Sequence, residues 1–192
     1  MTPRFLPIAI VGRSCLLPGA LSPEELWEAV AEGRDLIGPA PAGRWRVTDE
    51  DLLCRPGEDS SNRTWSNRGG SVRGFEEIWN PEGFALRAES LNGLDPLFLW
   101  VLHCARVALS DAGDGRLGVV DRRRVSATFG NLGFPSASMS RFAESVWLDE
   151  PERPDARNRF MSGGAATLLR DALGLGPEVM CLDTACASSL YS

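Results

Sequence analysis

Lysine is missing from all 192 residues, so the 20 basic side chains are arginines, and 26 acids outnumber them for a formal net charge of -6. Clustered positive charge is what holds nucleic-acid phosphates. The one basic run, Arg122 to Arg124, reads as a solvated turn ahead of a strand, so no nucleic-acid partner is expected. Long apolar runs are missing too: Ile8 to Val11 and Leu97 to Leu102 fall far short of the ~18 residues that span a bilayer. The opening MTPRFLPIAIVGRS lacks the longer apolar stretch and small-residue cleavage site of a secretory signal. A cytoplasmic location without a membrane partner is therefore expected.

Metal-ligand spacing is also absent. The five cysteines, Cys15, Cys54, Cys104, Cys181 and Cys186, form an odd set with no CxxC pair, and the single histidine, His103, adjoins only Cys104. Neither a zinc site nor a disulfide framework is expected. Gly12 and Gly19 follow an apolar run, but their spacing is not GxGxxG and Pro18 intervenes; Gly69 and Gly70 have no Lys-Ser/Thr partner. Dinucleotide and phosphate loops are thus excluded. The acids Asp49, Glu50 and Asp51 face no second carboxylate cluster and read as a solvated turn or helix start.

What is present has an α/β rhythm. IAIVG, residues 8 to 12, is a short apolar run closed by glycine and predicts a buried parallel-type first strand. SPEELWEAVAEG predicts a helix with Ser22 as N-cap, Pro23 at its first position, Glu25 completing a capping box and Gly33 as stop. From about Leu36 to Pro81 no period persists, although Trp45, Trp65 and Trp79 make the stretch too aromatic for a free linker. A helix capped by Asp95 and started by Pro96 follows, with Leu97, Val101, Cys104, Ala105 and Ala108 on its apolar stripe, His103 off it, and Gly113 at its end. Residues 124 to 133 predict a second strand, Ser138 to Glu150 a helix ending before Pro151, and Asn158 to Leu173 a further helix broken by Gly174 and Gly176. EVMCLDTACASS then supplies a third strand and a turn. Alternation of this kind implies a mainly parallel sheet with helices on both faces.

Cys186 stands where the last strand turns into a helix. A cysteine in the first turn of a helix gains from free N–H groups and from the positive end of the helix dipole, both of which favour the thiolate. Its small neighbours Ala185, Ala187, Ser188 and Ser189 leave room for a bulky acyl group, and its own N–H could face an oxyanion. The layout is mechanically like the nucleophile elbow of serine hydrolases, though without GxSxG. By spacing alone, the same run is compatible with a small side chain used only for packing.

DTACASSL, Asp183 to Leu190, resembles the active-site signature of β-ketoacyl synthases, the condensing enzymes of polyketide and fatty acid synthases. IAIVGRSCLLPGA, LWEAVAEG, PAGRW, RGG and LDPLFLW occur in the order and approximate spacing of the N-terminal half of a modular-type ketosynthase. GNLGFP, NRFMSGGAA and the Ala-Ser-Ser-Leu-Tyr after the cysteine look more like ketosynthases of polyunsaturated-fatty-acid-synthase-type systems. The resemblance covers the whole chain. It implies an α/β fold, the N-terminal half of a thiolase-like layered αβαβα body with a mainly parallel sheet and flanking helices. It also implies that Cys186 is the acyl-thioester nucleophile and a backbone oxyanion donor. No cofactor is expected to be bound. Acyl and malonyl groups would arrive on coenzyme A or on the phosphopantetheine arm of an acyl carrier protein, which is the expected partner, and the intact domain would be a homodimer.

The family places two further catalytic histidines and a lysine beyond the cysteine, whereas this chain ends at Ser192, has no lysine, and carries in His103 a histidine that matches neither position. His103 is expected on the helix surface or locally satisfied. Residues 1 to 192 are therefore expected to be an incomplete N-terminal region, lacking most of the helix after Cys186 and the C-terminal half. A helix that short would activate the thiol little, and apolar surfaces meant for the remainder would be exposed. Three functions stay open at this point. They are a ketosynthase portion able at most to be acylated, a non-catalytic half-domain that binds a partner chain, and a cysteine thioesterase or hydrolase using His103 as base.

Overall fold

The computed structural model describes residues 7–45, 47–113, 120–131, 136–150, 155–159 and 161–192. The chain divides into two compact units, one formed by Ser14–Ile78 and the other by Met1–Arg13 with Trp79–Ser192.

In the first unit, α1 (Pro23–Ala31) starts as its sequence predicts. The Ser22 hydroxyl accepts from the Glu25 N–H at 3.2 Å, and the Glu25 carboxylate reaches back to accept from the Leu21 N–H at 2.6 Å. Gly33 ends it with φ +65, while the Gly33 and Arg34 N–H groups donate to the Val30 and Ala29 carbonyls. The stretch without a period is held by short elements. β1 (Gly38–Pro39) pairs antiparallel with β2 (Arg68–Gly69), and the Arg68 guanidinium donates to the Asp35 carboxylate at 2.6 Å. The three clustered acids form the first turn of α2 (Asp49–Leu52), capped by Thr48, and α3 (Phe75–Ile78) closes the unit.

The second unit carries the principal core. Its elements are α4 (Pro96–Gly113), β3 (Ala127–Gly130), α5 (Ala137–Trp147), α6 (Met161–Leu173), β4 (Val179–Leu182) and α7 (Ser188–Tyr191). β3 and β4 run parallel, with Ala127 opposite Val179 and Gly130 opposite Leu182. Leu169, Ala172 and Leu173 of α6 are buried together with Leu91, Leu102 of α4 and Leu175, and Ala127 and Phe129 of β3 pack against them. The helix thus fills the space between α4 and the sheet. Gly174, at φ +66, ends α6 and lets the Leu175 N–H donate to the Arg170 carbonyl. Arg122–Arg124 form the expected exposed turn before β3.

Asp95 caps α4 and does more. One carboxylate oxygen accepts from the Leu97 N–H, and the other accepts from the Ser138 N–H in the first turn of α5, each at 2.9 Å. Asn158 completes the cluster by accepting from the Asp95 N–H at 2.8 Å and donating to the Gly93 carbonyl at 3.0 Å. Both side chains are buried and hydrogen-bonded, as burial of polar groups demands.

Three expectations need correction. Ile8 to Gly12 form no strand: Ile8 and Ile10 are 96% and 92% exposed, and the segment runs against α4, where a Cβ on Gly12 would lie 2.1 Å from the Ala108 carbonyl oxygen. An apolar run predicts a preference for burial, but a strand also needs a neighbouring edge, and here β3 and β4 pair only with each other among the described residues. The helix predicted over Asn158 to Leu173 is present as α6 with the expected end but starts only at Met161, after a separate turn at Ala156–Arg159. Finally, the buried face of α4 is wider than the predicted stripe, of which Leu97, Val101 and Ala105 pack against the core. Phe98, Leu102, His103 and Ala112 are its buried residues, and at 3.6 residues per turn they cover roughly half of the helix circumference. A position off the apolar stripe is therefore covered as well, and His103 is 8% exposed rather than on the surface. Residues 132, 133 and Pro151, parts of the expected strand and helix end, lie outside the described residues.

Burial first, and the nearby Arg106 charge second, push the His103 imidazole below its ordinary pKa of 6.5. The proton therefore binds better to the unfolded chain, so the His103 contribution to stability is complete above the ordinary value and declines as pH falls through it toward the lowered one. Urea unfolding between pH 7.5 and 5 is expected to show falling stability in the wild type and a flatter profile in His103→Gln. Identical slopes would show that His103 is not the group responsible.

Candidate active site

β4 ends at Leu182, and the next residues form a hydrogen-bonded bend. Asp183 accepts the Ala185 N–H through its carboxylate at 3.0 Å, an interaction that aspartate makes readily two residues along its own chain. Ala185 adopts φ +51, one of two non-glycine residues with positive φ among those described. This left-handed conformation costs a residue with a Cβ roughly 1–2 kcal/mol and persists only where surrounding bonds over-determine it. Those bonds are visible. The Ser188 hydroxyl accepts from the Thr184 N–H at 2.9 Å and donates to the Ala185 carbonyl at 2.8 Å, and the Ala187 N–H closes a short turn onto the Thr184 carbonyl at 3.2 Å.

Cys186 sits at the crest of this turn. Its side chain is exposed, and its N–H has no acceptor among the described residues. A free thiol beside an uncommitted amide is the pairing that acyl transfer to sulfur requires, with the sulfur attacking a carbonyl carbon and the amide receiving the oxygen as it becomes negative. α7, which follows, is a single turn of four residues, Ser188–Tyr191.

The turn is seated on β3 through glycine. The Asn131 N–H donates to the Leu182 carbonyl at 3.1 Å, extending the strand pairing to the end of β4. A Cβ on Gly130 would lie 2.6 Å from the Ser188 carbonyl carbon and 2.8 Å from the Ser189 nitrogen. Only glycine lets the strand backbone approach α7 this closely.

Of the residues singled out from sequence, Ala185, Cys186 and Ser189 are exposed on one turn, Ala187 is half-buried and Ser188 is buried beneath it. His103 does not share that setting, being buried on α4, where the neighbouring Arg106 donates to the Glu82 carbonyl at 2.9 Å and lies 4.5 Å from the Phe84 ring centre. Among the described residues no group of three or more His, Cys, Asp or Glu could hold a metal ion, and no helix is long and apolar enough to cross a membrane. Sequence reasoning missed the part played by Gly130 and by the Ser188 hydroxyl. A glycine closing a strand was the available signal for the first.

Comparison with solved structures places the fold among thiolase-like ketosynthase domains. The chain matches a solved structure described as "PfaC Keto synthase-Chain length factor" with a TM-score of 0.82 and 28% identity, over 96% of this chain and 22% of that one. The oxazolomycin ketosynthase domain OzmH KS7 of Streptomyces albus JA3453 shares the fold at a TM-score of 0.71 and 20% identity, over 95% of this chain and 30% of that one. The chain belongs to the β-ketoacyl synthase family: residues 6–192 match "Beta-ketoacyl synthase, N-terminal domain". It is 31% identical to the mycoketide-CoA synthase of Mycobacterium tuberculosis over 97% of its own length and 4% of that protein. It is 32% identical to the spectinabilin polyketide synthase system protein NorC of Streptomyces orinoci, over 97% of its length and 8% of that protein. The chain therefore spans a small part of these curated relatives.

Gly130→Ala is expected to destabilise the protein by about 1–3 kcal/mol, because the methyl group meets backbone that has no room to yield. Gly163→Ala, in α6 with open space around it, is expected to be neutral or to stabilise by up to about 1 kcal/mol. Denaturant midpoints compare the two directly, and equal behaviour would show that the β3–α7 approach is not tight.

Proposed function

We propose that Cys186 captures an acyl group as a thioester, the first half-reaction of a 3-oxoacyl synthase in polyketide or fatty acid biosynthesis. The Cys186 sulfur attacks the carbonyl carbon of an acyl thioester carried on coenzyme A or on the phosphopantetheine arm of an acyl carrier protein. The carbonyl oxygen becomes negative and accepts from the Cys186 N–H. The carrier carbon–sulfur bond then breaks, and the carrier thiol leaves with the proton that Cys186 gave up. In the family reaction this acyl group passes to the carbanion formed when a malonyl extender loses carbon dioxide, giving a 3-oxoacyl thioester. The observation that carries the reading is the exposed thiol beside an N–H without an acceptor among the described residues, on the DTACASSL turn that resembles the family's active-site signature.

Condensation draws on two histidines and a lysine that the family resemblance places C-terminal to the cysteine. These residues supply no lysine, and their one histidine is buried on α4. The acylation half-reaction is the step proposed for residues 1–192. Acyl carrier protein is its proposed donor, with assembly as a homodimer in the intact domain and residence in the cytoplasm.

Incubation with an acyl-coenzyme A is expected to add the mass of the acyl group to the protein, with the adduct lost in Cys186→Ala and retained in Cys54→Ala. No adduct, or one on a different cysteine, would overturn the assignment.

A second reading, a half-domain that associates with a partner chain, is favoured by the exposure of Ile8, Ile10, Met180, Leu190 and Tyr191, apolar side chains within one unit. Light scattering on the purified chain is expected to show self-association that weakens when Ile8 and Ile10 become serine. A monomer at all concentrations would remove this reading.

A further inference from the structure

We infer that the Ser188 hydroxyl is a positioning group that sets the oxyanion-binding direction of the Cys186 N–H; the inference rests on the proposed acylation of Cys186. Two consecutive peptide groups define the crest of the turn, the first held at both its N–H and its carbonyl and the second at its carbonyl only. The Thr184–Ala185 peptide is held at its N–H by the Asp183 carboxylate at 3.0 Å. The Ala185–Cys186 peptide is held at its carbonyl by the Ser188 hydroxyl at 2.8 Å and by the Ser188 backbone N–H. A peptide group is planar and trans, so its N–H points opposite to its C=O. Pinning the Ala185 carbonyl toward Ser188 therefore aims the Cys186 N–H away from Ser188, where no protein group among the described residues accepts it.

Ser188 can hold this direction because it is fixed itself. It is 6% exposed, and its hydroxyl is used on both sides: the proton goes to the Ala185 carbonyl, and a lone pair receives the Thr184 N–H at 2.9 Å. The backbone at Ser188 abuts Gly130, which keeps the serine at a constant height above the sheet. Removing the hydroxyl leaves the Thr184 N–H without its side-chain acceptor and the Ala185 carbonyl with the Ser188 N–H alone, which loosens the Ala185–Cys186 peptide about the oxyanion direction. Ser188 touches no reacting atom, and its effect passes through the orientation of one amide.

Two reactions of the same thiol separate this role from general support of the fold. Alkylation by iodoacetamide displaces iodide at a saturated carbon and forms no oxyanion at the attacked centre. Transfer of the octanoyl group from octanoyl-coenzyme A passes through a tetrahedral oxyanion, leaves the group on the Cys186 sulfur, and releases the coenzyme A thiol with the proton. In Ser188→Ala the octanoyl-transfer rate is expected to fall by about tenfold or more, a loss on the scale of a misdirected oxyanion donor. Alkylation should stay within about twofold of wild type, and Ser188→Thr, which keeps the hydroxyl, should recover most of the transfer rate. Equal losses in both reactions, or no loss of transfer, would overturn the inference. If the wild type itself takes no octanoyl group, the proposed function fails instead. The positioning role is then decided by the backbone dihedrals of Ala185 and Cys186 from NMR chemical shifts: a change in Ser188→Ala supports it, and unchanged dihedrals overturn it.

Discussion

Parallel strands cannot be joined by a tight turn, and the pairing of Ala127–Gly130 with Val179–Leu182 commits the chain between them to a helical crossover. That constraint organises the larger unit. The crossover ends in α6, whose Leu169, Ala172 and Leu173 face the sheet and α4 together, so a single helix supplies the centre of the core. Parallel pairing in this register also brings the carboxyl ends of both strands to one level. In open α/β folds this is the edge where ligands are met, because the loops that leave the strands gather there. The Cys186 turn leaves β4 at that edge, and Gly130 at the end of β3 lies beneath it.

A second constraint acts at the helix starts. The first N–H groups of α4 and α5 have no partners within their own helices. One buried carboxylate, Asp95, serves both by accepting from Leu97 and from Ser138, and Asn158 ties the same cluster to the chain leading into α6. Asp155 and Arg157 add an outer brace. The Arg157 guanidinium hydrogen-bonds Asp155, which holds that carboxyl at about 2, and also donates to the Ser90 and Asn92 carbonyls. These bonds fix where helices begin, and loops that begin at fixed points have fewer conformations open to them.

The turn at Cys186 combines strain with a full set of hydrogen bonds. A left-handed alanine disfavours the bend, while Asp183 and Ser188 stabilise it through the peptides on either side. What they leave without an acceptor among the described residues is the Cys186 N–H, at an exposed position. An amide already oriented before substrate arrives needs little reorganisation as negative charge develops.

Local signals were readable from the amino-acid order. Ser22, Glu25 and Gly33 bounded α1, Asp95 and Pro96 started α4, Gly174 ended α6, and DTACASSL marked the turn that carries Cys186, because caps, stops and motifs act within a few residues of themselves. How wide the buried face of α4 is, that Ile8 and Ile10 lie outside the ladder, that Asp95 also serves α5, and that Gly130 carries the turn of Cys186 were decided only in three dimensions. Each depends on a partner distant in sequence, and the apolar period of a segment states how much of it prefers burial without stating against what.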